Sequence, residues 1–312
     1  MDSSESRTTE IESLRLRAES GDSASQLRLG FCYANGEGVP TDVAESIRWL
    51  CKAAEQGNTD AQLAIGFRYA SGGRGVPKDM VEATRWYRMA AELGDAYAQN
   101  LLGDCYSNGE GVRQNAVEAA RWYRMAAEQG DYGAQIVLGR CFADGVGVPQ
   151  NSKEAVRWYL KAARQGIEVA QNLLGDCCVS GEGMAKNPEE AAKWYRMAAE
   201  RGLADAQYNL GSCYSSGAGV PKDPAESARW YRKAAEQGHA RAQMGLGACC
   251  EIGIGVSKDP AEAVRWYRKA AEQGDHGGQL FLGRCYRDGV GVAKDESESA
   301  KWFYKAAGRS VG

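Results

Sequence analysis

AQYNLGSCYSSGAGVPKDPAESARWYRKAAEQG, residues Ala206 to Gly238, contains in one stretch the pattern from which nearly the whole chain is built. Its tryptophan recurs as Trp49, Trp86, Trp122, Trp158, Trp194, Trp230, Trp266 and Trp302, 36 residues apart with one interval of 37. Gln207 belongs to a second column on the same beat: Gln26, Gln62, Gln99, Gln135, Gln171, Gln243 and Gln279 are its equivalents. The odd residue falls in SGGRGV, the longer turn of the second unit. A fixed period of this length marks a solenoid, in which each unit buries its apolar face only by stacking on its neighbours. Eight units at 23–308 are therefore expected to form one array. A polar N-terminus and capping segment at 1–22 precede it, and a short tail at 309–312 follows.

Each unit reads as two helices. In the first, helix A, residues such as Ala98, Leu102, Gly103 and Tyr106 recur at the three and four spacing of one helical face. It stops at a glycine of the GxGV turn, Gly109 in that unit, where a left-handed conformation closes a helix. Helix B opens each time with Asp or Asn followed three residues later by Glu, as in Asp42 and Glu45 or Asn115 and Glu118. That spacing is close to the capping box, in which each of the two side chains satisfies a free backbone N–H. Pro188, Pro224 and Pro260 take the first helical position, where a missing donor costs nothing. The glycine inside helix A, Gly103 and its equivalents, costs about 0.5–1 kcal/mol against alanine. The expected compensation is close packing by Trp and Tyr of helix B. The fold class is all-α.

Composition sets limits on function. The 312 residues carry 38 basic and 41 acidic side chains, a formal net charge of -3. Phosphate-backbone binding calls for a clear cationic excess, so nucleic acid is not an expected partner. The start MDSSESRTTE lacks the basic and apolar regions of a secretory signal, and no apolar run reaches membrane-spanning length. Neither membrane association nor export is expected, and a reducing, cytoplasmic setting fits the ten cysteines.

The pattern AQxxLGxxYxxGxGVxxD followed by AxxWYxxAAxxG, eight times in register, resembles the Sel-one-like repeat family. The 36-residue period and glycine-rich turn separate it from the 34-residue tetratricopeptide unit. The resemblance implies a right-handed α/α superhelical solenoid with A helices on its concave side, in proteins that act as non-enzymatic scaffolds or adaptors. Hydrolase or penicillin-binding activity, attributed to some family members, is one alternative. A structural spacer or self-assembling array is another. IESLRLRAESG, Ile11 to Gly21, aligns with the end of a helix B and is expected to cap the array. No comparable cap follows the eighth unit, which leaves end-to-end self-association open.

A cysteine occupies one helix A slot in seven of the eight units, Arg68 interrupting the column. Neighbouring helix axes lie about 8–10 Å apart, whereas a disulfide needs Cα atoms within about 7 Å. Zinc needs thiolates about 2.3 Å from one ion. One cysteine per unit suits none of these, and packing of small apolar groups is the expected role. The family's secreted, cysteine-rich branch implies bridges at other positions, equivalent here to Ala54 with Gln62 and Ala127 with Gln135. His239 and His276 fall in turns with no nucleophile at a catalytic spacing, and the GxGV turns lack the lysine of a phosphate loop. No catalytic residue, metal site or cofactor is expected.

If helix A turns its apolar stripe inward, the first and fifth residues after the glutamine face outward and vary between units, as a recognition surface on a repeated scaffold should. Leu27, Phe31, Leu63 and Phe67 then form an apolar patch. Two readings of it stay open: a site for a protein or peptide partner, or a face covered by the N-terminal cap. Further along two readings also stay open: plain solvated polar surface, or a recognition site in which Asn100 and Asn172 hydrogen-bond a peptide backbone with Asp104 and Asp176 flanking Arg140 for charge selection. Tyr208 and Arg284 complete the candidate columns.

Overall fold

The computed structural model describes residues 2–73 and 75–308, and among them are seventeen helices. The expected tail at 309–312 lies outside the described residues. The chain divides into two compact units, the first ending at Trp158 and the second beginning at Tyr159. In the first, α1 (Asp2–Glu19) precedes α2 (Ser23–Asn35), α3 (Val43–Glu55), α4 (Thr59–Ser71), α5 (Met80–Glu92), α6 (Ala96–Asn108), α7 (Ala116–Glu128) and α8 (Tyr132–Asp144). Helix α9 (Ser152–Arg164) contains the boundary. The second unit continues with α10 (Glu168–Ser180), α11 (Pro188–Glu200), α12 (Ala204–Ser216), α13 (Pro224–Glu236), α14 (Ala240–Ile252), α15 (Pro260–Glu272), α16 (His276–Asp288) and α17 (Glu296–Ala306). From α2 onward the even helices are A and the odd ones B.

The A helices end as their glycines require: Gly109 and Gly217 adopt φ of 76° and 80° and donate their N–H to the carbonyls of Cys105 and Cys213. The start of helix B corrects the capping-box expectation. Asp42 and Asn187 do accept from the amides of Glu45 and Glu190, both at 3.0 Å. The return arm is absent among the described residues, because the GxGV turn folds the chain back onto helix A. There the N–H groups of Asp42, Asn115 and Asp223 donate to the carbonyls of Tyr33, Tyr106 and Tyr214 at 2.9, 2.8 and 3.0 Å. The glutamate so released pairs with a cation one turn on, as in Glu154–Arg157 at 2.6 Å and Glu226–Arg229 at 3.0 Å.

The helix A glycines are required by tyrosine, not by tryptophan. A Cβ at Gly103 would lie 2.5 Å from the Tyr123 ring, and one at Gly175 would lie 2.4 Å from Tyr195. The first unit uses Leu50 against Gly30, and the last uses Phe303 against Gly283. Tryptophan points into other packing. Trp49 is buried with Leu14, Ala18, Leu29 and Cys32, and Trp230 joins the cluster around Tyr195 and Leu210. Stacking of repeats also fixes the second glycine of the turn. A side chain at Gly111 would meet the Met80 carbonyl oxygen at 1.9 Å, so backbone packs directly on backbone between units.

The glutamine column is the stitch between repeats. Gln99 Nε2 donates to the Ala91 carbonyl at 3.1 Å and Gln207 Nε2 to the Ala199 carbonyl at 3.2 Å, tying the start of an A helix to the end of the preceding B helix. Helix α1 supplies the same acceptor to the first repeat: Gln26 Nε2 donates to the Ala18 carbonyl at 2.9 Å. With Leu14 and Ala18 buried against Leu29 and Trp49, α1 caps the array at the place where a helix B would otherwise stand.

Candidate partner-binding groove

Four of the residues expected to face outward come together in the first unit. Leu27, Phe31, Leu63 and Phe67 line an open groove of about 720 Å³, completed by Leu50, Ala64, Asp60, Arg68, Ser71 and Gly72. Phe31 and Phe67 are 41% and 40% exposed, whereas Leu63 is only 8% exposed and forms the floor with half-buried Leu27. The cap leaves this face open, because α1 packs on the opposite flank of α2, against Leu29 and Cys32. Phe67 is held edge-on to Tyr87 at 5.5 Å and tilted against Tyr97 at 6.1 Å. Burial pushes the Tyr87 hydroxyl up to about 12, so it stays neutral beside these rings.

The polar columns behave differently from the expectation of free recognition groups. Asp104 accepts the Tyr123 hydroxyl at 2.8 Å, and Asp176 accepts that of Tyr195 at 2.7 Å. The tyrosine that covers the helix A glycine thus carries its hydroxyl to the very next residue of the A helix. Desolvation raises both carboxyls above the usual aspartate value, with the tyrosine hydrogen bond opposing it. Asn100 is half-buried and donates to Asp131 Oδ1 at 3.2 Å, while its own Oδ1 is buried without a partner among the described residues. Asn172 donates to Asp176 at 3.3 Å and accepts from Asn209 at 3.0 Å. Arg284 is bound by Glu251, 2.6 Å from each carboxylate oxygen. Tyr208 stacks on His239 at 4.8 Å. Arg140 remains exposed and has no hydrogen bond or ion pair among the described residues.

With this geometry in place, the chain can be set beside known proteins. The Sel1 repeat matches at residues 23–58, 59–95, 96–131, 133–167, 169–203, 204–239, 240–275 and 277–310. The chain belongs to the Sel1 repeat family. A Sel1 repeat protein from Oxalobacter formigenes is 34% identical with a TM-score of 0.78, over 96% of this chain and 87% of that one. A protective antigen present in uropathogenic Escherichia coli strains, displaying an SLR fold, is 39% identical with a TM-score of 0.88. That match covers 96% of this chain but 64% of the antigen. No curated protein matches the sequence. Sel1 repeat proteins generally mediate protein–protein interaction, and the scaffold is typically non-enzymatic.

The cysteines of this Sel1 array are packing residues. All ten cysteines are unbridged, and Cys32, Cys105, Cys141, Cys213 and Cys285 of the repeating column are buried. Burial pushes the Cys177, Cys250 and Cys285 thiols up to about 11, which disfavours the nucleophilic thiolate. No helix among the described residues is long and apolar enough to cross a membrane. Sequence reasoning missed two groups. One is the tyrosine hydroxyls that occupy Asp104 and Asp176; the other is the groove's charged ends, Asp60 and Arg68. Arg68 stood out as the break in the cysteine column, and that break was the available signal.

Proposed function

We propose that this chain is a non-enzymatic adaptor that binds a protein or peptide segment in the groove formed by Leu27, Phe31, Leu63 and Phe67. One observation carries the reading: two phenylalanines, each about two-fifths exposed, stand over a leucine floor in a concavity of about 720 Å³. Clustered aromatic anchors around a pocket are where protein interfaces concentrate their binding free energy. Contiguous apolar surface of this kind is rarely left open on a chain that has no use for it. The outward columns elsewhere give less support, since Asn100, Asp104, Asn172, Asp176 and Arg284 already have partners within the chain. Arg140 and Tyr208 remain candidates for secondary contacts along the A helices. Affinity capture with the wild-type chain and with a Phe31→Ala/Phe67→Ala variant tests the groove. Proteins recovered by wild type should be lost from the variant while it keeps its helical signal and a cooperative melting transition. Full recovery by a folded variant would refute this assignment.

A further inference from the structure

The second repeat breaks the common pattern twice, and both breaks border the groove. Arg68 stands where seven units carry cysteine, and the turn after α4 is one residue longer, beginning at Gly72, which lines the groove. Equivalent slots such as Cys32 and Cys105 are small and buried. An arginine cannot take that place without a counter-charge or an opening to solvent. Arg68 makes no side-chain hydrogen bond or ion pair among the described residues and lines the groove instead. Asp60, exposed in the first turn of α4, lines it as well and likewise has no ion pair there. The groove is therefore apolar in the middle, cationic at one end and anionic at the other.

We propose that the groove accepts an extended peptide segment whose large apolar side chain sits between Phe31 and Phe67 and whose carboxylate, from Asp, Glu or a chain end, seats on Arg68. This deepens the partner-binding reading above and rests on it. Asp60 and Arg68 are eight helical steps apart, about 12 Å of rise. An extended peptide covers that distance in about four residues, at roughly 3.3 Å each. The apolar anchor and the acidic group are thus at most about four residues apart. A planar guanidinium beside apolar walls favours a carboxylate through paired, charge-assisted hydrogen bonds. Asp60 at the far end disfavours a second acidic group and accepts a basic one. A single cation with an anion opposite is poorly suited to a phosphate backbone, which needs many neutralising contacts.

The test is selection of random heptapeptides displayed on phage against the full chain, its Arg68→Glu variant and its Phe31→Ser/Phe67→Ser variant. Wild type should enrich peptides with Phe, Leu or Trp and an Asp or Glu within four residues. Arg68→Glu should keep the apolar preference and exchange acidic for basic residues. A synthetic peptide of the selected sequence should bind Arg68→Gln, which removes the charge and keeps a polar side chain, about tenfold more weakly than wild type in calorimetry. Apolar enrichment without an acid, or an acid preference indifferent to Arg68→Glu, overturns the carboxylate assignment and leaves the groove reading standing. Enrichment no greater than with Phe31→Ser/Phe67→Ser overturns the groove reading itself. A wild-type chain that sediments as a dimer dispersed by Phe67→Ser would give the groove to a second copy and overturn the peptide proposal.

Discussion

The glutamine stitch makes a quantitative prediction from two natural defects. In five repeats the residue closing helix B is glutamine, and in four of them its Nε2 donates to the Oε1 of the column glutamine. These pairs are Gln56–Gln26 at 2.7 Å, then Gln129–Gln99, Gln237–Gln207 and Gln273–Gln243, each at 2.8 Å. Where that position is Leu93 or Arg201, the Oε1 of Gln62 or Gln171 is buried with no partner among the described residues. Leu93→Gln should supply the missing donor. A buried unsatisfied acceptor costs about 1–3 kcal/mol. Against this, Leu93 is 58% exposed, so it gives up less than half of a full leucine's burial, about 1 kcal/mol. The net expectation is a gain of about 1 kcal/mol. The reciprocal change, Gln129→Leu, strands Gln99 and should cost about 1–3 kcal/mol. Because arrays of repeats open in parts, urea denaturation should be joined to amide hydrogen exchange, read in the first turns of α4 and α6. Leu93→Gln should slow exchange in α4 and Gln129→Leu should quicken it in α6. Lower protection from Leu93→Gln, or no effect of Gln129→Leu, would refute the stitch.

Further outcomes follow from the same packing. Gly103→Ala should destabilise by about 1–3 kcal/mol, against the usual helix preference for alanine, because its methyl meets the Tyr123 ring. Gly283→Ala, with Phe303 at 3.2 Å, should cost less, and equal shifts in melting temperature would contradict the account. The Asp104 carboxyl should titrate above an ordinary aspartate by NMR, and Tyr123→Phe, removing the donor that favours the charged form, should raise it further. Since folding raises this pKa, the contribution of Asp104 to stability is greatest at low pH and is lost as pH rises through the raised value. A downward shift in Tyr123→Phe would contradict the geometry. Native thiols should react slowly with a disulfide reagent at pH 8, the half-buried Cys51, Cys177 and Cys249 first, and denaturant should release all ten. Rapid native labelling of Cys178 or Cys250 would count against the packing described.

The periodic features of the molecule were legible in the sequence because they are backbone requirements repeated eight times. Tryptophan and glutamine set the period, Asp or Asn the start of helix B, and glycine the turn. What escaped was which of two adjacent aromatics meets the glycine, since Trp122 and Tyr123 differ by one helical step and only packing chooses between them. The same choice carried the Tyr123 hydroxyl to Asp104, so a residue that looked free from periodicity proved engaged. Phe31 and Phe67 were readable as outward apolar residues. The side of α2 taken by the cap was not, because it depends on where Leu14 and Ala18 land. Arg68 was visible as an exception, but its part in the groove follows only from three-dimensional placement.

The claim that this face of the array receives a partner is tested most directly by site-specific crosslinking. Replacing Phe67 with p-benzoylphenylalanine in the full chain, and Val117 as an exposed control, reports what lies within reach of each position under native conditions. The account predicts discrete crosslinked products from position 67 that disappear when Phe31→Ala is added and are absent from position 117. The same products from both positions, or products from 67 that are indifferent to Phe31→Ala, would contradict it.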